Sequence, residues 1–202
     1  MNSSGQFARG ALASVINNQM DQIVTFQYNP ESIKRSLSPQ VSAGQAPDHS
    51  SEVRFTDAPQ QKISFTAYFD AADALAAGDA TAVSKGIAPQ LATLERIIYP
   101  TRKQIEDRDK DRDQGVMEVA PLLAPSLILV WGPNRTLPVR VTQIEITEDA
   151  FDASLNPIRA TVSITVAVQT YGDRTPDDDD YRRFGAYHRD LENLAQAAAK
   201  QS

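Results

Sequence analysis

Cysteine is absent from the 202 residues, and glycine and aromatic residues are scarce. Without cysteine the chain forms neither disulfides nor thiolate metal sites, and a reducing compartment suits it. The 9 glycines build no phosphate-binding loop, because neither G-x-G-x-x-G nor G-x-x-x-x-G-K occurs. The longest apolar run, at residues 127–131, is far too short to span a bilayer, so we expect no direct membrane insertion.

Residue types suited to catalysis or metal binding form no pattern. The two histidines, His49 and His188, stand outside any metal-ligand motif, and we predict both to be solvated surface residues. A G-x-S-x-G nucleophile motif is missing. The acidic run at 177–180 lacks the spacing of a calcium loop, which favours a solvated, helix-capping role. The sequence therefore predicts no catalytic residues, no cofactor and no metal.

The chain is acidic, with a net charge of −6 and an isoelectric point near 4.9. Nucleic acids and anionic membranes bind basic surfaces, so neither is an expected partner. The first 20 residues contain one arginine and no apolar stretch of the length that a secretory signal requires. We therefore expect synthesis in the cytoplasm.

Alternation of apolar and polar residues predicts half-buried strands at 23–28, 61–69 and 160–168. A continuous apolar run predicts a further strand at 127–131, buried on both faces. Between 139 and 147 the apolar positions change parity, which predicts a β-bulge near Thr142 and Gln143. The predicted inward-facing residues of the two clearest strands are Ile63, Phe65, Ala67, Phe69, Ala160, Val162, Ile164, Val166 and Val168.

Helical spacing of apolar residues occurs at 89–99, between two prolines, and again at 181–199. The stripe of the terminal helix is Phe184, Tyr187, Leu191, Leu194 and Ala198. Residues 70–84 are compatible with a weak helix or a loop. Segments without a core-forming pattern predict exposed loops at 38–51 and 101–120 and a flexible arm at 1–20.

Together these elements predict a mainly β protein of the α+β class. We expect an antiparallel β-barrel or sandwich with one short internal helix and a C-terminal helix. The βαβ alternation of a parallel sheet is missing from the predicted order. The predicted division is a flexible arm at 1–20, a β domain at 21–172 with exposed loops near 38–51 and 101–120, and an acidic linker with a helix at 173–202.

Three segments are more informative together than singly: TFQYNPESI at 25–33, LILVWGP at 127–133 and FDASLNPIRA at 151–160. Each is ordinary alone, because Asn-Pro commonly starts a turn and a lone tryptophan at a strand end is usually a core residue. The candidate structural or interface residues that they contain are Phe26, Tyr28, Asn29, Pro30, Glu31, Trp131, Gly132, Phe151, Asn156, Pro157 and Arg159.

In this order and spacing, over residues 20–172, the segments resemble the tube-type domain of contractile injection systems, the phage-tail-like particles of bacteria. In that family the third turn often carries glycine where this chain has Asn156, and asparagine also tolerates left-handed dihedrals. The resemblance implies a β-barrel-like fold of the phage tail-tube type and a homo-oligomeric ring, usually six-fold. Many family members continue into a glycan-binding LysM module, whose pattern residues 173–202 lack.

The resemblance also implies a structural role, with the tube, spike, baseplate and sheath proteins of the particle as partners. Our leading hypothesis is an adaptor ring that joins the inner tube to the baseplate or spike, because segment 101–120 and the terminal helix are additions suited to a junction. The main inner-tube subunit is the close alternative. A glycan-binding or peptidoglycan-binding module is the alternative of another class.

Overall fold

A computed structural model of the chain describes residues 9–16, 19–42, 53–113, 122, 124–132 and 135–200. These residues form seven strands in one antiparallel sheet, four helices between the fourth and fifth strands, and a long final helix. The strands are β1 (Ala11–Ile16), β2 (Gln19–Thr25), β3 (Ile33–Ser42), β4 (Arg54–Asp70), β5 (Ser126–Val130), β6 (Thr136–Phe151) and β7 (Pro157–Val168). The helices are α1 (Ala72–Ala76), α2 (Ala80–Lys85), α3 (Ala88–Arg96), α4 (Arg102–Asp113) and α5 (Asp179–Ala199).

The sheet is strongly curled. Its strand order is β2-β1-β5-β6-β7-β4-β3, so the consecutive strands β2 and β3 form opposite edges. In a flat sheet β2 and β4 would lie roughly 24 Å apart, at about 4.8 Å for each strand spacing. The side chain of Gln27, two residues after β2, nevertheless donates a hydrogen bond of 2.8 Å to the carbonyl of Asp70 at the end of β4. The predicted fold class, mainly β and antiparallel, is confirmed. In the described ranges the two edge strands, β2 and β3, do not pair with each other, so the curled sheet stays open.

The hydrophobic core confirms the predicted strand faces. All the predicted inward-facing residues of β4 and β7 are buried. Leu127, Ile128 and Leu129 of β5 are buried at both parities, as the continuous apolar run predicted. The register between β6 and β7 shifts between Val141 and Gln143, where the change of parity predicted a bulge.

Helices close part of this core. The predicted helix at 89–99 is α3, which places Leu91 and Leu94 in the core, with Ile97 buried directly after it. Phe184 of α5 joins the same cluster. The predicted single internal helix is wrong, because residues 70–84 form α1 and α2 and residues 102–113 form α4.

The flexible arm predicted for residues 1–20 is wrong for β1. This strand lies between β2 and β5 and pairs with both, and Leu12 and Ala13 are buried on its two faces. Short strands with apolar residues at both parities are stable inside a sheet, where each face packs against other residues. Residues 1–8 of the predicted arm lie outside the described residues.

The exposed loop predicted at 101–120 is a helix over Arg102–Asp113, and the remainder lies outside the described residues. No residue of α4 is buried, so the predicted exposure is correct while the secondary structure is not. Opposite charges at helical spacing supply the local stabilisation that an apolar face would otherwise give. The pairs and their N–O distances are Arg102–Glu106 at 3.4 Å, Lys110–Asp107 at 3.6 Å and Arg112–Asp109 at 3.6 Å.

The boundaries of the two edge regions also differ from prediction. The strand predicted at 23–28 ends at Thr25, because the chain turns there toward the opposite edge of the sheet. The loop predicted at 38–51 is partly strand, since β3 continues to Ser42, whereas residues 43–51 lie outside the described residues. β4 begins at Arg54, well before the predicted start at residue 61.

Candidate assembly surfaces

The first two sequence motifs meet in an aromatic cluster. Phe26 is fully buried, and its ring centroid lies 5.1 Å from that of Phe65 and 6.4 Å from that of Trp131. The Phe65 and Trp131 rings lie 5.6 Å apart, so the three aromatic side chains contact one another. Trp131 is half-buried, which agrees with its predicted role as a core aromatic at a strand end. Gly132 follows with a φ of 74°, a backbone conformation that suits glycine.

The turn after Phe26 is fastened to the start of β1. The Phe26 N–H donates to the Gly10 carbonyl at 2.9 Å, and the Gly10 N–H donates to Oδ1 of Asn29 at 3.0 Å. Pro30 is buried, whereas Tyr28 and Glu31 are exposed. In the strand predicted at 23–28, alternation would put Tyr28 on the same buried face as Phe26, but Tyr28 is exposed because β2 ends at Thr25. Asn29 and Pro30 therefore have structural roles, and Tyr28 and Glu31 remain on the surface.

A hydrogen-bonded chain joins the first motif to the third. The side-chain amide of Gln27 bonds to both backbone groups of Asp70, donating at 2.8 Å and accepting from the Asp70 N–H at 3.0 Å. The Asp70 carboxylate accepts from Nε of Arg159 at 2.8 Å. Gln27 thus bridges the end of β2 to the end of β4 across the curled sheet, and no local sequence pattern identifies it, because its partner is distant in the chain.

The third motif forms a tight turn between β6 and β7, organised by Asp152. One carboxylate oxygen accepts from the backbone N–H groups of Ser154 at 2.7 Å and Asn156 at 2.9 Å, and the other accepts from Nδ2 of Asn156 at 2.8 Å. The expected left-handed residue was Asn156, but the positive φ, 62°, belongs to Leu155. Asn156 instead contributes its side chain to the hydrogen bonds of the turn.

The start of β7 is braced by the helices. The carbonyl of Pro157 accepts from the Ile87 N–H at 2.8 Å, and Gly86 packs directly against the same carbonyl. Gly86 has φ 56° and ψ −130°, and a β-carbon at this position would overlap the Pro157 oxygen. Phe151, at the end of β6, is 47% exposed and takes no part in this bracing. The motif therefore divides into a braced base and an exposed tip.

Two carboxylates of these motifs have pKa values below their ordinary value of 3.8. For Asp70 the main cause is the hydrogen bond from the Ala72 N–H, with a further contribution from Arg159. For Asp152 the hydrogen bonds from Asn156, then from Ser154, lower the pKa. A carboxyl whose pKa is depressed in the folded protein stabilises the fold above its ordinary pKa, and that stability disappears as the pH falls through the folded-state pKa.

We therefore expect acid to destabilise the protein partly through these two groups. Replacing both Asp70 and Asp152 by asparagine should flatten the dependence of the free energy of unfolding on pH below about pH 5. The effect is modest, because solvent screens exposed charges. The measurement is urea unfolding at a series of pH values, with the exposed Asp111→Asn in α4 as the control. An acid limb of unchanged slope in the double variant contradicts this account.

β3 and β4 extend beyond the body of the sheet as a two-stranded ribbon, residues 37–42 and 53–61. Pairing of β4 with β7 begins only at Lys62, so among the described residues the two strands of the ribbon pair only with each other. Its exposed large apolar residues are Leu37, Val41, Val53 and Phe55. An isolated two-stranded ribbon is marginal in water, and clustered exposed apolar side chains mark contact sites. The ribbon is therefore the first candidate assembly surface.

The outer face of β4, β6 and β7 is the second. Small hydroxyl side chains occupy much of it, namely Ser64, Thr66, Thr147, Thr161, Ser163 and Thr165, and none of them is buried. Glu145 lies among them, opposite Ser163. Within this face the hydroxyls of Ser64 and Thr165 lie 3.1 Å apart. The outward orientation of the β4 and β7 members was predicted from alternation and is confirmed. The result is a broad polar face composed mainly of uncharged groups.

The acidic run at 177–180 begins α5, as predicted. The Asp178 carboxylate accepts from the Asp180 N–H and caps the helix. The prediction that the whole run is solvated is wrong for Asp180, which is 2% exposed. Its carboxylate contacts the Ser126 hydroxyl and the guanidinium groups of Arg183 at 2.9 Å and Arg174 at 3.7 Å, so burial is compensated by paired charge.

Among the described residues, no group of three or more His, Asp or Glu side chains could hold a metal ion. His188 is exposed, as predicted, with its Nδ1 3.2 Å from the Tyr171 hydroxyl, while His49 lies outside the described residues. No described helix is long and apolar enough to cross a membrane.

The chain matches one protein-family model. The family model described as contractile injection system tube protein matches residues 12–174. This range runs from β1 to the 3₁₀ turn after β7 and contains all three motifs. The resemblance read from the motifs is thereby confirmed. No curated protein matches the chain significantly.

Proposed function

Because the chain belongs to the family of contractile injection system tube proteins, we propose that it forms an adaptor ring between the inner tube of such a particle and its baseplate or spike. Because it belongs to this family, the protein is a structural component that assembles with other proteins of the injection system. The finer role is a ring, six-fold as in our sequence-based hypothesis, that is synthesised and assembled in the cytoplasm.

The observation that carries the adaptor role is α4. A twelve-residue helix without a buried residue contributes nothing to the core, and its ion pairs give it only local support. A subunit that only stacks on copies of itself has no need of such a projecting element. A subunit at a junction needs surfaces for unlike neighbours, and a mixed-charge helix suits contact with a different protein.

Two other surfaces support a ring. The ribbon exposes Phe55 with 78% of its surface free, and an adjacent copy that covered it would remove an aggregation-prone edge. The hydroxyl-rich outer face of β4, β6 and β7 is suited to line a water-filled channel, because its groups hydrogen bond to water without attracting one sign of charge. Both surfaces serve an adaptor ring and a tube ring equally.

The main inner-tube subunit is the second candidate, and the description of the matched family favours it. Electron microscopy of particles lacking this protein separates the two. Normal tubes with loose or spikeless baseplates are expected for the adaptor, whereas the complete loss of tubes identifies the main tube subunit. Normal particles contradict both, and strong binding of the pure chain to peptidoglycan supports the glycan-binding alternative.

A second experiment addresses α4 itself. Replacing residues 102–113 by a short glycine-serine linker should leave the fold intact, since no core residue is removed. We expect loss of baseplate attachment with tubes of normal length. The control is a variant in which the same twelve residues are permuted so that the i,i+3 and i,i+4 ion pairs are kept but the surface pattern changes. Complete particles with the linker variant contradict a junction role for α4.

A further inference from the structure

The tip of the β6–β7 turn presents two apolar side chains to solvent. Leu155 is 79% exposed and has a φ of 62°, a conformation that side chains other than glycine and asparagine rarely adopt. Phe151 beside it is 47% exposed. In the described part of the chain the fold gains little from a leucine at this position, because most of its side chain is exposed to solvent. The tight turn imposes this conformation, and glycine or asparagine would adopt it at lower cost, so the presence of leucine points to a use outside the molecule.

The turn is also rigid. Asp152 holds it through its three accepted hydrogen bonds, and the Asp152 N–H donates to the Asn156 carbonyl at 2.9 Å. Phe151 and Leu155 are therefore kept in one arrangement before any partner arrives. A preorganised apolar tip loses little conformational entropy on docking, which favours binding.

A groove of about 340 Å³ lies against the exposed half of α5. Its apolar lining includes Trp131, Leu191 and Leu194, of which the two leucines are 43% and 64% exposed. Two guanidinium groups, those of Arg35 and Arg135, also line it. We call this feature the α5 groove.

The α5 groove has unused capacity for an acidic partner. Nε of Arg35 is buried and has no hydrogen-bond partner in the described part of the chain, although its Nη2 donates to the Tyr187 hydroxyl at 2.9 Å. Neither Arg35 nor Arg135 forms an ion pair with a described carboxylate, and Asp190 is the one acidic residue in the lining. The charge of the groove is therefore positive.

The turn carries the opposite charge. Glu148, Asp149 and Asp152 lie at or near its tip, and the neighbouring Arg159 is engaged by Asp70. Asp149 accepts a hydrogen bond from the Thr161 hydroxyl at 2.7 Å and Asp152 holds the turn, which leaves Glu148 as the carboxylate that we expect to meet a guanidinium group. The turn combines apolar side chains with carboxylates, and the α5 groove combines an apolar lining with guanidinium groups. The two surfaces are therefore complementary in hydrophobicity and in charge.

From this complementarity we infer that the β6–β7 turn of one copy docks into the α5 groove of an adjacent copy. Arg135 immediately precedes β6 and Phe151 ends it, so the groove and the tip lie at opposite ends of one strand and cannot meet within a molecule. The contact is head-to-tail, and such a contact closes into a ring when the rotation between copies permits. The inference deepens the proposed function, on which it rests, by naming the contact that closes the ring.

The absence of native cysteine provides a direct test. A chain carrying Leu155→Cys and Leu194→Cys should form disulfide-linked ladders under mild oxidation, both as concentrated pure protein and in assembled particles. The control carries Leu155→Cys with Asp111→Cys, since Asp111 is exposed on α4 and does not line the groove. At least tenfold more ladder is expected from the first pair. Equal yields, or no ladder in either preparation, overturn the docking.

Charge and shape variants test the same contact independently. Arg135→Glu should weaken self-association at least tenfold, and Glu148→Arg in the same chain should restore it. Leu155→Gly removes the unfavourable conformation, so the melting temperature should not fall while self-association is lost. A higher melting temperature with unchanged self-association assigns Leu155 no docking role and overturns the inference. If rings are seen in particles but the 155–194 cross-link does not form there, the docking inference is overturned and the proposed function stands.

If pure protein forms the ladder but never enters particles, the docking inference stands and the proposed function is overturned.

Discussion

Gly86→Ala is expected to lower the free energy of unfolding by roughly 3–5 kcal/mol, because the backbone around Gly86 leaves no room for a side chain. Gly86 combines a positive φ with direct contact to the Pro157 carbonyl, which a β-carbon would overlap. The obstacle is backbone, so it cannot move aside as a flexible side chain would. The Ile87–Pro157 hydrogen bond, which ties α3 to β7, would break with it.

Gly78→Ala is the matched control. Gly78 also has a positive φ, 71°, but no atom lies within 4 Å of the position that a β-carbon would occupy. The conformational strain alone should cost about 1 kcal/mol. Urea unfolding of both variants measures the difference between strain alone and strain with overlap. Equal losses of stability would mean that the contact with Pro157 is unimportant.

Phe26→Ala is expected to cost about 3–5 kcal/mol, the range for removing a buried aromatic side chain. Phe26 is fully buried between Phe65 and Trp131, and its loss opens a cavity where the link between the two sheet edges is anchored. Because Trp131 is the sole tryptophan, its fluorescence should shift to longer wavelength in the folded variant. Both changes arise from the same aromatic cluster.

The exposed Phe55 provides the control for this second prediction. Phe55→Ala removes the same side chain from a position that is 78% exposed, so the free energy of unfolding should change by less than about 0.5 kcal/mol. Chemical denaturation followed by circular dichroism measures both variants. A loss below about 1 kcal/mol for Phe26→Ala would show that the aromatic cluster rearranges to fill the space.

Strand faces were predictable because alternation is a local property. The inward residues of β4 and β7 and the bulge in β6 follow from the parity of apolar positions, and the structure has them where the sequence predicts. Helix α4 was missed because prediction relied on an apolar face, whereas its stability comes from pairs of opposite charge. The spacing of those charges was the available signal.

Other features depend on distant contacts. β1 consists of small and apolar residues whose pattern fits a helix or an arm as well as a strand. It is a strand because it pairs with β5, which is more than a hundred residues away in the sequence. The same holds for Gln27, because its hydrogen-bond partner Asp70 is distant in the sequence and lies beside it only in the curled sheet. At the candidate surfaces, composition indicated assembly, while the exposed position and positive φ of Leu155 required the three-dimensional structure.

The pairing of β1 with β5 also bears on the order of events during synthesis. Ala11 pairs with Val130, so the seven-strand sheet cannot be completed until most of the chain has left the ribosome. Pairing between such distant segments requires the closure of a long loop, which slows folding. An interrupted translation product that stops before β5 therefore leaves β1 without one of its two partner strands and the sheet unfinished.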